Sequence, residues 1–374
     1  MKSFISFRNK IIAFWYRVLL KPVFFKNDPE IVHDRMIGVG KFLGKFWLFR
    51  YITKLKLGYQ NKKLRQNILG IDFKNPIGLS AGFDKNVEIT DILPSVGFGF
   101  AEVGSVTAKK CEGNPKPRLW RLKDSKSLVV YYGLKNDGSE AISERLKKKK
   151  FRIPIGISVA MTNCEENLEI KNAIKDYYLA FKRLEKFASY ITVNISCPNT
   201  LSDQPFIKPQ NLDRLFKQLD KIKTAKPVFV KLSPDMQEIE IDKILKILSQ
   251  HRVDGIICAN LTKKRDNPKI IDSEVPSKGG ISGKVVQESS DKLLSYVYKK
   301  AGDRFVLMGV GGVSSAEDAY RKIKMGASLI QMITGMVFEG PQIISQINVD
   351  LVRLLEKDGY KNISEAIGVD SEIF

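Results

Sequence analysis

From residue 75 onward the chain repeats one unit, a short apolar run rich in β-branched residues followed by a longer stretch with helical spacing. The apolar runs fall at 75–83 (NPIGLSAGF), 97–106, 153–160, 190–196, 227–233, 255–260, 304–312 and 329–335. Helical patterns at 165–187, 208–224, 238–250, 285–301 and 315–326 lie between or beside them. Eight such runs alternating with helices predict a (β/α)8 TIM barrel. In that architecture the chemistry belongs at the C-terminal ends of the strands and in the loops that follow. The one long irregular stretch, 261–283, comes after the sixth run.

Residues 1–70 read differently, as two or three short amphipathic helices. Asn27 or Asp28 before Pro29 has the form of an N-cap with Pro in the first turn, opening a helix that contains His33, Met36 and Ile37. A second helix near 41–54 carries Phe42, Phe46, Trp47, Phe49 and Tyr51. So short a segment holds more large apolar groups than it can bury, which predicts a partly open apolar face.

Length and charge sharpen this division. A single α/β barrel needs about 250 residues, so a chain of 374 leaves room for an N-terminal amphipathic helical extension, 1–70, before a barrel at 71–374. The net charge is +21, and residues 1–70 hold 15 Lys and Arg against three acidic residues. Basic residues among aromatics point to an anionic surface, either nucleic acid or lipid headgroups. Arg8, Lys10, Arg17 and Lys21 interrupt the stretch 4–25, unlike a spanning helix of about 20 apolar residues. Its apolar part lacks a small-residue cleavage site, which speaks against a signal peptide. The expectation is a peripheral protein on the cytoplasmic face of a membrane. Four scattered cysteines and two histidines offer no metal-ligand spacing, so no metal is expected. Sparse cysteines suit a reducing compartment.

The segment VNISCPNT, 193–200, carries the first candidate chemistry. It sets one thiol, Cys197, between the amides of Asn194 and Asn199 at a strand end. A base between two amides can deprotonate a flat polar heterocycle while hydrogen-bonding its edges. The plain alternative is a small buried cysteine after a strand. GVGGVSS, 309–315, ends the seventh run and opens a helix, and with Gly283, Thr334 and Gly335 it forms a candidate phosphate site. Lys231 ends the fifth run and Lys85 follows the first. A cation in such a position is costly unless it faces an anionic group.

VNISCPNT resembles the N-x-S-[SC]-P-N segment of the dihydroorotate dehydrogenases, flavin-dependent barrel enzymes with their catalytic base at the fourth position. SAGFDKN (80–86), the segment 97–122 with its GNPKPR, PVFVKLSPD (227–235), GGISGK (279–284), the segment 309–331 and the N-terminal LLKPVFFKNDPEIVH (19–33) extend the likeness over nearly the whole chain. Together they resemble the class 2, quinone-dependent branch. The resemblance implies oxidation of dihydroorotate to orotate in pyrimidine biosynthesis, with FMN as cofactor and a membrane quinone as electron acceptor. It implies FMN contacts at Ala81, Gly82, Ser105, Ser158, Asn194, Lys231, Gly283, Gly312 and Thr334. Substrate contacts are implied at Lys85, Asn194, Asn199 and Asn260, with Cys197 as the base and its thiol shifted downward, by Lys85, to work at neutral pH. His33 and Arg121 match positions lining the quinone tunnel.

Several positions depart from the family pattern. Class 2 enzymes normally use Ser where this chain has Cys197. The N-R-x-G-F segment, whose Asn binds substrate, reads Val130, Tyr131, Tyr132, Gly133, Leu134, and T-N-T reads Ala259, Asn260, Leu261. Ser158 replaces an Asn on the third strand, and Ile333 replaces the tyrosine before Thr334. Losing a hydrogen bond to a polar substrate costs about 1–3 kcal/mol when its partner is left unpaired. Two rival readings follow. One is a flavin-binding relative with altered substrate or lost activity, favoured by Val130 and Leu261 and opposed by Cys197 with its flanking asparagines. The other is a tRNA dihydrouridine synthase, also an FMN barrel with N-x-x-C-P and a basic surface. The roughly 40 residues after the eighth run leave no room for that family's RNA-binding domain, so no nucleic-acid partner is expected.

Overall fold

The protein is described by a computed structural model covering residues 2–371. Eight parallel strands close a barrel: β1 (Ile77–Leu79), β2 (Phe100–Val106), β3 (Ile155–Val159), β4 (Tyr190–Asn194), β5 (Val228–Leu232), β6 (Gly255–Cys258), β7 (Val306–Val310) and β8 (Leu329–Met332). Each pairs with its neighbour in sequence, and β8 closes on β1. Every apolar run predicted as a strand is one. The helices Ile170–Leu184, Pro209–Leu219, Glu238–Leu248, Gln287–Ala301 and Ala316–Lys324 fall on the predicted helical stretches.

Period-two alternation sorts the barrel interior into layers. At the N-terminal end Phe100, Tyr190, Phe229, Ile257, Met308 and Leu329 form an apolar plug with Phe73. Phe73 arrives on a hairpin, Gln66–Ile68 paired with Ile71–Phe73, so residue 70 lies in that hairpin's turn. The plug closes because β3 yields space: a Cβ on Gly156 would sit 2.1 Å from the Tyr190 ring. Two residues further along the same strands the interior turns polar, with Glu102, Thr192, Lys231 and Gln331 all buried. Above this layer the barrel opens into a cavity.

One element escaped the pattern. Leu119–Leu122, Ser127–Val130 and Gly280–Gly283 form a three-stranded antiparallel sheet, whose last strand lies inside the stretch 261–283 read as irregular. Four residues supply too few alternations to register as a strand without a partner.

The extension consists of α1 (Lys2–Trp15), a π-helical turn at Tyr16–Leu20, α2 (Lys21–Lys26), α3 (Pro29–Lys45) and α4 (Trp47–Leu57). Asp28 caps α3 as expected, its Oδ1 accepting from the Glu30 and Ile31 amides at 2.9 and 3.0 Å. The helix anticipated at 41–54 is instead the end of α3 and the start of α4, separated at Phe46. Arg50 donates to the carbonyls of Gly44 and Lys45, which satisfies helix-end acceptors at the break.

One side of the extension is docked. Asn9 reaches Ser345 and Gln346, the Tyr16 hydroxyl donates to the Val337 carbonyl at 2.6 Å, and buried Glu30 accepts from Arg118 Nε and Nη2. The other side is open: Phe4 is 69% exposed and Trp47 71%, with Phe7, Phe14, Trp15, Val18, Phe42, Tyr51 and Leu55 also exposed. Among the described residues no helix is long and apolar enough to cross a membrane.

The Glu30–Arg118 pair ties the extension to the barrel and yields a stability prediction. Burial alone would raise the Glu30 pKa, but hydrogen bonds and charge from Arg118, with Lys116 and Lys135, outweigh it and hold the carboxylate below its ordinary value. Glu30→Met leaves Arg118 buried without its anion, and removing one partner of a buried pair costs about 3–5 kcal/mol. Protease sensitivity of residues 2–57 should rise and urea unfolding should begin earlier. The parent's advantage should be complete above the unfolded Glu pKa of about 4.3 and vanish as pH falls through the lower folded value. An unchanged urea midpoint at pH 7 would show that the pair contributes nothing to docking.

Candidate active site

The C-terminal ends of the strands surround one cavity of about 450 Å³, within the range for small-molecule sites. Its wall is mostly apolar, with polar groups concentrated on the floor. The cavity brings together Ala81, Gly82, Ser105, Asn194, Lys231, Gly283, Gly312 and Thr334 with Lys85, Cys197, Asn199 and Asn260. It continues between α2, α3 and α4, where His33 and Arg121 line it. Residues that the sequence spreads over three hundred positions therefore share one space.

Ser158 is the exception. It lies fully enclosed in β3, outside the cavity lining, with its Oγ 2.8 Å from Ser105 Oγ. Ser105 Oγ in turn accepts from Asn194 Nδ2 at 2.9 Å. A side chain as short as serine stops behind Ser105, so Ser158 orients the lining and does not form it.

The floor is built from strand ends. Lys231, 5% exposed, has among the described residues a single 3.4 Å hydrogen bond, from Nζ to Ser80 Oγ. Burial lowers its pKa, while Glu102 and Cys197 raise it. An ammonium carries three donors, so this one retains capacity for an acceptor or anion in the cavity. Asn199 donates from Nδ2 to the Val130 carbonyl at 2.9 Å, whereas its buried Oδ1 has no partner among the described residues. Asn260 is more committed: its Nδ2 meets Asn194 Oδ1 and both oxygens of Ser196, and its Oδ1 accepts from the Leu261 amide. Val130 and Leu261 present hydrocarbon to the same space.

Cys197 and Lys85 supply the titratable groups. Burial pushes the Cys197 thiol up to about 11, only partly opposed by the Asn199 amide, Lys231 and Lys263. This reverses the expected downward shift, and Lys85 is not among the groups that lower it. Lys85 Nζ stands 3.9 Å from the Tyr132 ring centroid. Burial brings its pKa down to about 8, resisted by Asp34 and Glu30 and aided by Lys135 and Arg118. Tyr132, which the sequence reading named only as a departure, thus stacks on this cation. Its hydroxyl is buried and unpartnered.

The glycine-rich turn expected to hold a phosphate lies at the end of β7. Gly312 adopts φ +74°, and Ser315 caps the helix Ala316–Lys324 by accepting from the Asp318 amide. The Asp318 carboxylate accepts from the Ser314 amide, Lys284 and Gln287, whose combined pull outweighs burial and takes its pKa to about 2. Gly335 packs against this loop so closely that a Cβ would lie 2.1 Å from the Val313 carbonyl oxygen. At the far end His33 Nε2 is 2.9 Å from the Phe83 carbonyl oxygen. Arg121 donates to the Asn27 carbonyl and stacks 4.8 Å from the Phe25 ring centroid.

Sequence reading missed Ser80, Glu102 and Gln331. Glu102 and Gln331 were visible as polar residues inside apolar strand runs, an alternation that points them inward.

Fold and site together define a (β/α)8-barrel enzyme with a buried thiol, a buried cation and a glycine-rich turn around one cavity. The family model for dihydroorotate dehydrogenase matches residues 63–355. Relatives named dihydroorotate dehydrogenase (quinone) include that of Natronomonas pharaonis, 37% identical over 94% of this chain and 98% of its own. That of Nautilia profundicola is 36% identical over 94% and 96% respectively. A crystal structure of DHODH from Eimeria tenella in complex with ferulenol is similar at 27% identity and a TM-score of 0.82, covering 92% of this chain and 96% of that one. The chain belongs to the dihydroorotate dehydrogenase family, in its class 2, quinone-dependent branch.

The Cys197 environment predicts its titration. Thiolate absorbance, taken as the difference between the parent and Cys197→Ala in ligand-free protein, should rise with a midpoint near 11, well above the ordinary thiol value of about 8.5. A midpoint at or below 8.5 would mean that the surrounding charges outweigh burial.

Proposed function

We propose that the protein oxidises dihydroorotate to orotate in pyrimidine biosynthesis, with FMN as its redox group and a membrane quinone as final electron acceptor. The observation that carries this reading is the convergence of Lys231, Cys197, Asn194, Asn199 and Lys85 on one cavity. FMN, when bound, supplies the two-electron chemistry that side chains lack. The free donors of Lys231 suit an electron-rich ring edge, and the backbone around Gly311–Ser314 suits a phosphate. Ala81, Gly82, Ser105, Gly283, Gly312 and Thr334 complete the holding surface.

Cys197 is the base that removes the C5 proton from dihydroorotate, and Asn199 offers its free Oδ1 to a ring N–H. Lys85 faces the substrate carboxylate, its charge full below pH 8 and lost as pH rises through that value. Asn260 acts mainly by fixing Asn194 and Ser196. Val130 and Leu261 make this pocket less polar than the family pattern, so a related dihydropyrimidine is the competing substrate.

Residues 1–70 form the quinone-access and membrane-binding part and 71–374 the catalytic barrel. The exposed aromatic and aliphatic side chains of α1 to α4 lie among lysines and arginines, the composition of helices resting in a headgroup layer. An apolar quinone dissolved in that layer enters between the helices past His33 and Arg121. The positive charge serves anionic lipid rather than nucleic acid, and attachment is peripheral, at the cytoplasmic face.

Stopped-flow reduction of FMN-loaded protein by dihydroorotate tests the chemistry. Cys197→Ala should retain flavin yet slow reduction by about 10²–10⁴, the usual contribution of a positioned base. The parent rate should climb with pH through the neutral range, because the thiolate fraction grows toward the thiol's pKa of about 11. No bleaching by dihydroorotate, with bleaching by another dihydropyrimidine, would reassign the substrate. An unchanged rate in Cys197→Ala would place the base elsewhere.

Membrane attachment has its own test in vesicle co-sedimentation. Binding should be stronger on anionic than on neutral lipid and weaken with salt, each basic residue near the surface contributing about 1 kcal/mol. Trp15→Glu with Trp47→Glu should reduce binding while leaving reduction by substrate intact. Equal binding of parent and variant would dismiss this face as the membrane contact.

A further inference from the structure

Beneath the cavity floor, a carboxyl and an amide oxygen of the barrel's polar layer compete for one hydroxyl proton. Glu102 Oε2 accepts from the Thr192 hydroxyl at 2.9 Å and from Gln331 Nε2 at 3.0 Å. Its Oε1 and Gln331 Oε1 are buried and make no close hydrogen bond among the described residues, and the single proton of the buried Tyr190 hydroxyl lies within reach of both Glu102 and Gln331. The groups facing Glu102 are Lys231 on β5, Tyr190 and Thr192 on β4, and Gln331 on β8. Gly156 on β3 and Gly78 on β1 add no side chain. Lys231 and Glu102 influence each other's charge, yet among the described residues they form no ion pair.

Buried polar groups in folded proteins are nearly always hydrogen-bonded, so a buried oxygen left without a proton in this layer calls for an explanation. An ionised carboxylate only accepts, so the one Tyr190 proton would have to serve both Glu102 Oε1 and Gln331 Oε1, and one of them would go without. A protonated one donates, and Gln331 Oε1 or the Tyr190 oxygen is there to receive it. Burial also disfavours the ion, more strongly than Lys231, Thr192, Gln331 and Tyr190 together favour it, so the carboxyl pKa is raised. An ionised Glu102 would in addition cancel the charge of Lys231, the cation under the cavity.

We propose that Glu102 is held as a neutral carboxylic acid beneath Lys231, a positioning residue that leaves the ammonium charge free to act on the electron-rich ring bound above it. The idea rests on the FMN reading given above. Reduced flavin carries negative charge, so uncompensated Lys231 favours reduction, and ionisation of Glu102 opposes it. Because the folded pKa of Glu102 is raised, the favourable state is complete at low pH and is lost as pH rises through that value.

Two measurements on the full chain test this separately. Infrared difference spectra of flavin-free protein, parent minus Glu102→Gln at neutral pH, should contain the deuterium-sensitive carbonyl stretch of a protonated carboxylic acid. Its absence would overturn the proposal whether or not FMN binds. In FMN-loaded protein the reduction midpoint of Glu102→Gln should match the parent near neutrality. At alkaline pH the parent should become harder to reduce than the variant by about tenfold in the equilibrium, or about 30 mV for a two-electron couple. A variant already tenfold easier to reduce at neutral pH would mean that Glu102 is ionised throughout, and the proposal fails. Thr192→Val, which removes one of the two donors to Oε2, should move the parent's alkaline break to higher pH, and an unmoved break counts against the proposal. Failure to take up FMN would remove the cofactor reading, while the infrared result would still decide the state of Glu102.

Discussion

The burial of the Lys231 ammonium is the constraint around which the site is arranged. An ion taken out of water is costly unless its surroundings replace hydration. The barrel replaces it only in part, with one long hydrogen bond to Ser80 and the more distant polar groups of Thr192, Glu102 and Gln331. The apolar plug of Phe100, Tyr190 and Phe229 seals the layer from below. Solvent therefore cannot supply the missing stabilisation from that side. What remains is a cation whose unmet donors belong to whatever occupies the cavity, which is how a stable fold keeps a reactive floor.

The same low-polarity surroundings explain why Cys197 departs from expectation. A thiol near lysines suggests an easily formed thiolate, because nearby cations favour the charged form. In the folded protein desolvation is larger than the pull of Lys231 and Lys263, and the thiol moves the other way. Lys85, stacked on Tyr132 and buried, is itself weakened as a cation by the same cause. Burial thus holds both groups toward their neutral forms.

The extension belongs to this arrangement as much as the barrel does. Glu30 pairs with Arg118, and His33 and Arg121 bond to the Phe83 and Asn27 carbonyls, so docked helices complete the cavity wall. Their opposite faces expose a continuous set of aromatic and aliphatic side chains. One segment thus meets two requirements, packing inward through polar anchors and outward through unsatisfied apolar area.

By itself the sequence determined the barrel, because each strand's apolar run and each helix's periodicity is a local property. It likewise determined which residues could carry chemistry, since Cys197, Asn194, Asn199 and Lys231 sit at strand ends, where barrel topology gathers side chains. The strand Gly280–Gly283 was hidden because four residues become a strand only when Ser127–Val130 lies beside them. Ser158 was expected from the resemblance to contact FMN, and only packing placed it behind Ser105. The direction of the Cys197 shift and the orphaned atoms around Glu102 were likewise decided in three dimensions. Burial and hydrogen-bond satisfaction are sums over neighbours from different strands, and no stretch of chain contains that sum.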